Sequence, residues 1–491
     1  VTSEALLGID LGTSGVKTVL LSASGEILGE GSADCPLRSP RPGWAEADPS
    51  DWWRATVLAV GQALASCSDP CTVRGVGVDG QMHGVVLTDR DGDPVRPALL
   101  WPDQRATEQA QVWGELSTAL RNTLGNPIVP GMAGPLLTWL TEHEPEHCAR
   151  ARHLLSAKDW LRMQFTGSAG TDPSDASGTL LWDIGSDRWA DRLLDVLNLD
   201  RDLLPPVAPS GSAAGTLRAA QAAQLGLPAG IPVAVGAADT AAALLATGLA
   251  HGEVQLTIGS GAQLVSRTDD PTTPPQPLVH LYRTAEPQGW YRMAAVQNAG
   301  LALDWVRGVL GAGWDEVYAA AGEDGADSDG VIFVPYLTGE RTPRMDPTLA
   351  GGFTGLRIGH HRGSLLRAAV EGVAFAIRDA AEALPGPLPG PLPDVIRLAG
   401  GGIRDRRFRA LVADVMQVEL APVELRSASA VGAAMLAASA AGLPVPQVQP
   451  AAGIPVRPSG RDHTEGFLRY RELVEPYVED EFGHGHGHGH H

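Results

Sequence analysis

The run Leu6-Leu7-Gly8-Ile9-Asp10-Leu11-Gly12-Thr13-Ser14-Gly15-Val16-Lys17-Thr18-Val19-Leu20-Leu21 constrains the fold more than any other stretch of this chain. Two apolar strands meet at a turn that holds an acid, small hydroxyls and a lysine, which is the chemistry of a nucleotide-phosphate site. Asp10 closes the first strand, where a carboxylate can hold Mg²⁺ directly or through water. Gly12 and Gly15 permit a sharp turn, so that backbone N–H groups and the Thr13 and Ser14 hydroxyls face phosphate oxygens. Taken alone, the same run also reads as a plain β-hairpin.

With 491 residues the chain is too long for one core, and two large domains are expected. A net charge of −20 argues against a nucleic-acid or anionic-membrane surface and leaves room for an anionic nucleotide in a local pocket. The four cysteines, Cys35, Cys67, Cys71 and Cys148, form no C-x₂-C pair, so neither a zinc site nor a disulfide framework is expected. No signal-peptide pattern precedes the first strand and no apolar run reaches membrane-spanning length, from which a cytoplasmic setting is expected. Arginine supplies nearly all the positive charge; the only lysines are Lys17, inside the first turn, and Lys158. The Gly/His alternation over 484–491 reads as an expression tag.

Along the chain, a third strand is expected around Cys35 to Arg38, then a helix through Leu64 capped by Ser50 or Asp51, then a buried strand from Val73 into Asp79-Gly80-Gln81. A similar cadence returns in the second half. Val254 to Ile258 reads as a strand, Gly259-Ser260-Gly261 as a turn and Gln263 to Ser266 as the returning strand. Two such units suggest a duplicated domain with nucleotide between the copies. The boundary falls near Gly248, giving an N-terminal domain over 1–247 and a C-terminal domain over 248–483. Pro385 to Pro393 reads as a surface loop.

Three further motifs carry chemistry. Leu398-Ala399-Gly400-Gly401-Gly402 runs from an apolar strand toward a helix near Asp405, and its glycines remove side chains where a base or ribose must approach. Asp239-Thr240 opens a helix of very small residues: Asp239 is either a helix cap or a carboxylate at a cleft mouth, able to accept a proton from a hydroxyl. Gln81-Met82-His83-Gly84 and Trp101-Pro102-Asp103-Gln104-Arg105 crowd hydrogen-bonding groups beside apolar faces, as sugar sites do. Asp103 and Arg105 read equally as an exposed ion pair.

These motifs together resemble the FGGY carbohydrate kinases, and among them the xylulose kinases, of the actin, hexokinase and heat-shock ATPase superfamily. Ile9 to Lys17 resembles the first phosphate motif, Thr257 to Ala262 the second and Leu398 to Gly402 the adenosine motif, while Gly80-Gln81-Met82-His83-Gly84 is similar to the segment typical of xylulose kinases. Asp172 to Thr179, Gly339 to Pro343 and Arg367 to Phe375 are similar to further family signatures.

The resemblance implies an α/β fold of two ribonuclease-H-like domains with a cleft between them that closes over substrate, and often a homodimer. It implies ATP and Mg²⁺ as cofactors, a small-molecule sugar as acceptor, and no nucleic-acid or membrane partner. By the same resemblance Asp239 is the general base and Asp10 the metal-linked carboxylate. Gln81, Met82, His83, Trp101, Asp103, Arg105, Asp239 and Thr240 serve the sugar. Gly12, Thr13, Ser14, Lys17, Gly259, Ser260, Gly261, Gly400, Gly401 and Gly402 serve the nucleotide. The reaction expected is phosphorylation of a ketose, D-xylulose to D-xylulose 5-phosphate. The alternatives are another small ketose or polyol (ribulose, erythritol, a glycerol-like acceptor) and a nucleotide-gated binding protein of the actin or chaperone kind. Thr240, Pro102 and Leu136 depart from the Asn, Asn and Lys common in the family, which bears on the sugar rather than on the reaction.

Overall fold

The computed structural model describes residues 2–325, 327–385, 391–400 and 402–475. Gly401, the tag and most of the Pro-rich stretch from Pro385 to Pro393 lie outside the described residues. Two mixed sheets of like topology carry the fold. The first holds β1 (Ser3–Leu11), β2 (Gly15–Ser22), β3 (Ile27–Asp34), β4 (Cys71–Gly80), β5 (Ala213–Thr216), β6 (Pro232–Ala234) and β7 (Ala237–Ala238). Its order is β5-β6-β4-β1-β2-β3, with β7 also pairing with β4. The second holds β8 (Val254–Ile258), β9 (Ala262–Thr268), β10 (His280–Arg283), β11 (Trp290–Val296), β12 (Val395–Ala399), β13 (Glu419–Glu424) and β14 (Ala451–Ala452), in the order β10-β11-β9-β8-β12-β13-β14. In each sheet the opening hairpin is antiparallel, and its first strand pairs in parallel with a later one, β1 with β4 and β8 with β12. The duplicated strand–turn–strand unit is therefore present in both halves.

Alternation along β1 decides what each face does. Ala5, Leu7, Ile9 and Leu11 pack under α1 (Pro49–Ser66) with Trp52, Ala55 and Ala59, whereas Leu6, Gly8 and Asp10 point the other way. On that second face Leu6, Gly8 and Asp10 register with Gly75, Gly77 and Asp79 of β4. The paired glycines leave a bare groove for α2 (Ala428–Ala440) to lie against the sheet: a Cβ on Gly77 would stand 1.8 Å from the Ala433 carbonyl oxygen. Gly77→Val is expected to force helix and sheet apart and lower the thermal midpoint by roughly 3–10 °C, as overpacking by about 1–3 kcal/mol does; calorimetry reads it directly.

Two local expectations are corrected. The third strand ends at Asp34, and Cys35 to Arg38 continue as irregular chain with one bridge from Arg38 to Glu46. The cap of α1 is Asp48, which accepts the Ser50 N–H, while Asp51 lies inside the first turn and pairs with Arg38 and Arg54. Among the described residues no helix is long and apolar enough to cross a membrane, and the four cysteines are free thiols.

Candidate active site

Three carboxylates gather at the C-terminal ends of the parallel strands of the first sheet. Asp10 and Asp79 are register partners on β1 and β4; Ala237 and Ala238 of β7 pair with Asp79 and Gly80, and so deliver Asp239 to the same edge. Asp239 opens the helix Asp239–Thr247, and the residue at its cap position is Ala238. Its Oδ1 accepts the Thr240 N–H at 2.6 Å and the Thr240 hydroxyl at 3.3 Å.

Part of the Asp239 surface remains accessible, yet burial is the largest influence on its carboxyl and, with the charge of Asp10, pushes the pKa up to about 7 against the two bonds from Thr240. Burial also raises Asp10, opposed by Asp79 and by the charge of Lys17, its cross-strand neighbour. Asp79 is wholly buried, and burial, then the charge of Asp10, holds it well above the ordinary carboxylate range. Among the described residues no N–H or O–H donates to either Asp79 oxygen or to Asp10 Oδ1, while the two carboxyls stand within hydrogen-bonding reach of each other.

A buried polar chain holds this edge from behind. Lys158 Nζ lies 2.8 Å from Asp172 Oδ1; Asp172 Oδ2 accepts from Ser174 Oγ at 2.5 Å, and Ser174 Oγ accepts the Ala238 N–H at 2.9 Å. Burial pulls the Lys158 ammonium down, but the charges of Asp159, Asp172 and Asp175 outweigh it and keep the lysine charged. Its backbone and stem also fill the space beside Gly80 and Gly236.

The two glycine turns are built alike. Gly12 N donates to Gly15 O at 2.9 Å, and Gly259 N to Gly261 O at 2.7 Å. The Gly12 and Gly259 amides thus each close their own turn. Among the described residues no protein acceptor takes the amides of Thr13, Ser14, Ser260 or Gly261. Gln81 Nε2 donates to Gly12 O at 3.3 Å and Trp101 Nε1 to Thr13 Oγ1 at 2.9 Å, so both lean on the first turn. Exposed Lys17 sits on the Asp10 face of β2. The adenosine motif reaches the second turn: a Cβ on Gly402 would stand 1.7 Å from Ile258 O, and Gly400 holds φ +85°.

The residues expected to serve the sugar lie against side chains from both halves of the chain. His83 takes φ +78° in the turn after β4, and its Nδ1 lies 2.7 Å from Gly178 O. A carbonyl only accepts, so Nδ1 carries the proton and Nε2 of the neutral ring is free to accept; burial pushes the pKa down to about 4. Buried Met82 receives the Tyr291 hydroxyl on its sulfur at 3.8 Å. Tyr282 lies with its ring centroid 5.6 Å from that of His83 and is bonded through His280 to Arg341. Tyr282, Tyr291 and His280 carry no motif that marks them in the sequence, whereas Arg341 stands inside the Gly339 to Pro343 signature.

Asp103 and Arg105 are not an exposed pair. Arg105 Nη2 bonds Asp103 at 2.8 Å and Glu46 at 2.8 Å, and its guanidinium lies 3.7 Å from the Trp44 ring centroid. Both Asp103 oxygens are occupied by Arg105 and by the Ala45 and Arg105 backbone N–H groups. The pair is a buried brace behind Trp101, which remains 42 % exposed. Leu136 is fully buried in an apolar cluster, where a lysine would have no partner.

Comparison with known proteins agrees with this arrangement. The family model for the FGGY carbohydrate kinases' N-terminal domain matches residues 5–246, and that for the C-terminal domain matches residues 254–441. A xylulose kinase from Klebsiella pneumoniae is 34 % identical over 434 residues, 88 % of each chain. The crystal structure of a xyloylose kinase from Brucella ovis superposes with a TM-score of 0.88 at 33 % identity, covering 96 % of this chain and 99 % of that one. A xylulose kinase from Rhodospirillum rubrum gives 0.83 at 28 % identity, covering 96 % and 97 %. Two sheets of repeated topology, a glycine turn in each and an accessible carboxylate at the strand ends of the first thus accompany matches over both halves: the chain belongs to the FGGY family of carbohydrate kinases.

Proposed function

We propose that this protein transfers the γ-phosphoryl group of ATP to the 5-hydroxyl of D-xylulose, giving D-xylulose 5-phosphate. The observation that carries the reading is the placement of Asp239, an accessible carboxylate at the strand-end edge that also carries the first phosphate turn and the His83 and Met82 turn; burial and the charge of Asp10 push its pKa up to about 7. Asp239 accepts the proton of the attacking hydroxyl, and Thr240 orients the carboxylate. His83 Nε2 accepts a second sugar hydroxyl, and Met82 and Trp101 supply apolar walls. The amides of Thr13, Ser14, Ser260 and Gly261 donate to phosphate oxygens, with Lys17 adding positive charge and Gly400 and Gly402 taking the adenosine side.

Asp10 fits a divalent cation, because its Oδ1 is buried without a donor. When bound with ATP, Mg²⁺ offsets charge on the transferring phosphoryl group. The division into 1–247 and 248–483, closure of the halves over substrate, a homodimer and a cytoplasmic setting belong to the same proposal. The boundary is supported by the left-handed Gly248 that ends the Asp239 helix.

ADP release measured across D-xylulose, D-ribulose, erythritol, glycerol and gluconate tests the reading. D-Xylulose is expected to stimulate release most; a larger response to another acceptor changes the sugar, and release indifferent to every sugar favours a nucleotide-gated binding protein. For the best acceptor, kcat/KM is expected to rise with pH through a midpoint of about 7, as Asp239 loses its proton. A profile flat from about pH 5.5 to about 8.5 removes Asp239 as the base.

A further inference from the structure

We infer that Asp79 is a second carboxylate ligand of the divalent cation, paired with Asp10 across β1 and β4. The inference rests on the proposal that Asp10 holds the cation and extends it to a residue for which the reaction otherwise has no use.

Asp10 and Asp79 are register partners in a parallel pair, so their side chains leave the sheet on the same face, at the strand ends beside the first phosphate turn. Asp79 is 0 % exposed, and among the described residues neither of its oxygens receives a hydrogen bond from an N–H or O–H group. A buried carboxylate normally recruits backbone amides, hydroxyls or a basic side chain, because desolvation without such partners is costly. The largest charge influences on Asp79 come from Asp10, Asp239 and Asp175, all acidic. Lys17, the basic group acting on Asp10, lies one strand farther away on β2. Two adjacent carboxylates in this position are satisfied either by one shared proton or by a cation between them.

The donor set suits a hard divalent ion. Mg²⁺ keeps several waters and is bound through one or two carboxylates together with substrate phosphates, rather than by a full protein cage. Among the described residues no group of three His, Cys, Asp or Glu side chains is placed to form such a cage. Asp239 is left for the proton, since Thr240 already occupies its Oδ1.

The test is a Mn²⁺ titration followed by the EPR signal of free Mn²⁺, with and without saturating ADP, on the wild type, Asp10→Asn, Asp79→Asn and Asp79→Ser. The serine variant serves if the asparagine variant folds poorly, with circular dichroism checking each. Both Asp79 variants are expected to weaken Mn²⁺ binding to the ADP complex at least about tenfold, the lower end of what loss of a metal site's supporting group causes. Affinity within twofold of wild type in the Asp79 variants, with Asp10→Asn weakened, overturns the inference and leaves Asp79 sharing a proton with Asp10. Unchanged affinity in all variants overturns the assignment of Asp10 as well.

Discussion

Asp239→Asn is expected to lower turnover by about 10²–10⁴-fold, or roughly 3–5 kcal/mol of barrier, while D-xylulose still binds. Asparagine keeps the size of aspartate and can still accept the Thr240 bonds, but it cannot take a hydroxyl proton at neutral pH. The alternative reading, a helix cap, is weakened by local geometry: the cap position is Ala238, and among the described residues the Asp239 carboxylate accepts only from its immediate neighbour Thr240. The variant should also be at least as stable as the wild type above neutral pH. A carboxyl raised from 3.8 to about 7 favours the folded state fully below its unfolded pKa, and that contribution is lost as pH rises through about 7. Asparagine removes the burial of a charge that remains above this range. Isothermal titration with sugar, steady-state rates and thermal melts at pH 6 and 8 separate the outcomes; near-normal turnover would send the search for the base to Asp79.

Asp10→Ala is expected to reduce phosphoryl transfer at least about 10²-fold with the fold intact. Asp10 Oδ1 has no protein donor, so its removal orphans no buried N–H, and it relieves repulsion from Asp79 and Asp239. Turnover and melting temperature measured on one preparation decide the matter. Activity within a few-fold of wild type would detach the first turn from the metal–phosphate unit.

The parts legible in the sequence were those whose chemistry is local. Two turns of glycine between apolar strands, the helix ending at Gly248 and the helix capped by Asp405 all lie where residue patterns place them. The third strand is not legible in the sequence because Ile27–Asp34 lacks an apolar alternation: Gly29 and Gly31 stand where α1 presses on the sheet, with the Ala63 and Ala59 carbonyl oxygens 2.3 and 1.9 Å from where a Cβ would lie. A strand that packs by having no side chain shows no hydrophobic period. The buried state of Asp103 and Arg105 depends on Glu46, Trp44 and Trp139 from other segments, and no spacing rule signals that contact. Tyr282 and Tyr291 reach the His83 and Met82 turn across two halves of the chain for the same reason.

Incubating the protein with ATP, Mg²⁺ and D-xylulose labelled with ¹³C at C5, and recording ¹³C and ³¹P spectra of the product, asks directly whether phosphate reaches the 5-hydroxyl. The expected result is ADP and a sugar monophosphate in equal amounts, with the C5 signal split by phosphorus. Inorganic phosphate as the only new phosphorus signal, or phosphorus coupled to a different carbon, would contradict the assignment of this site as a D-xylulose 5-kinase.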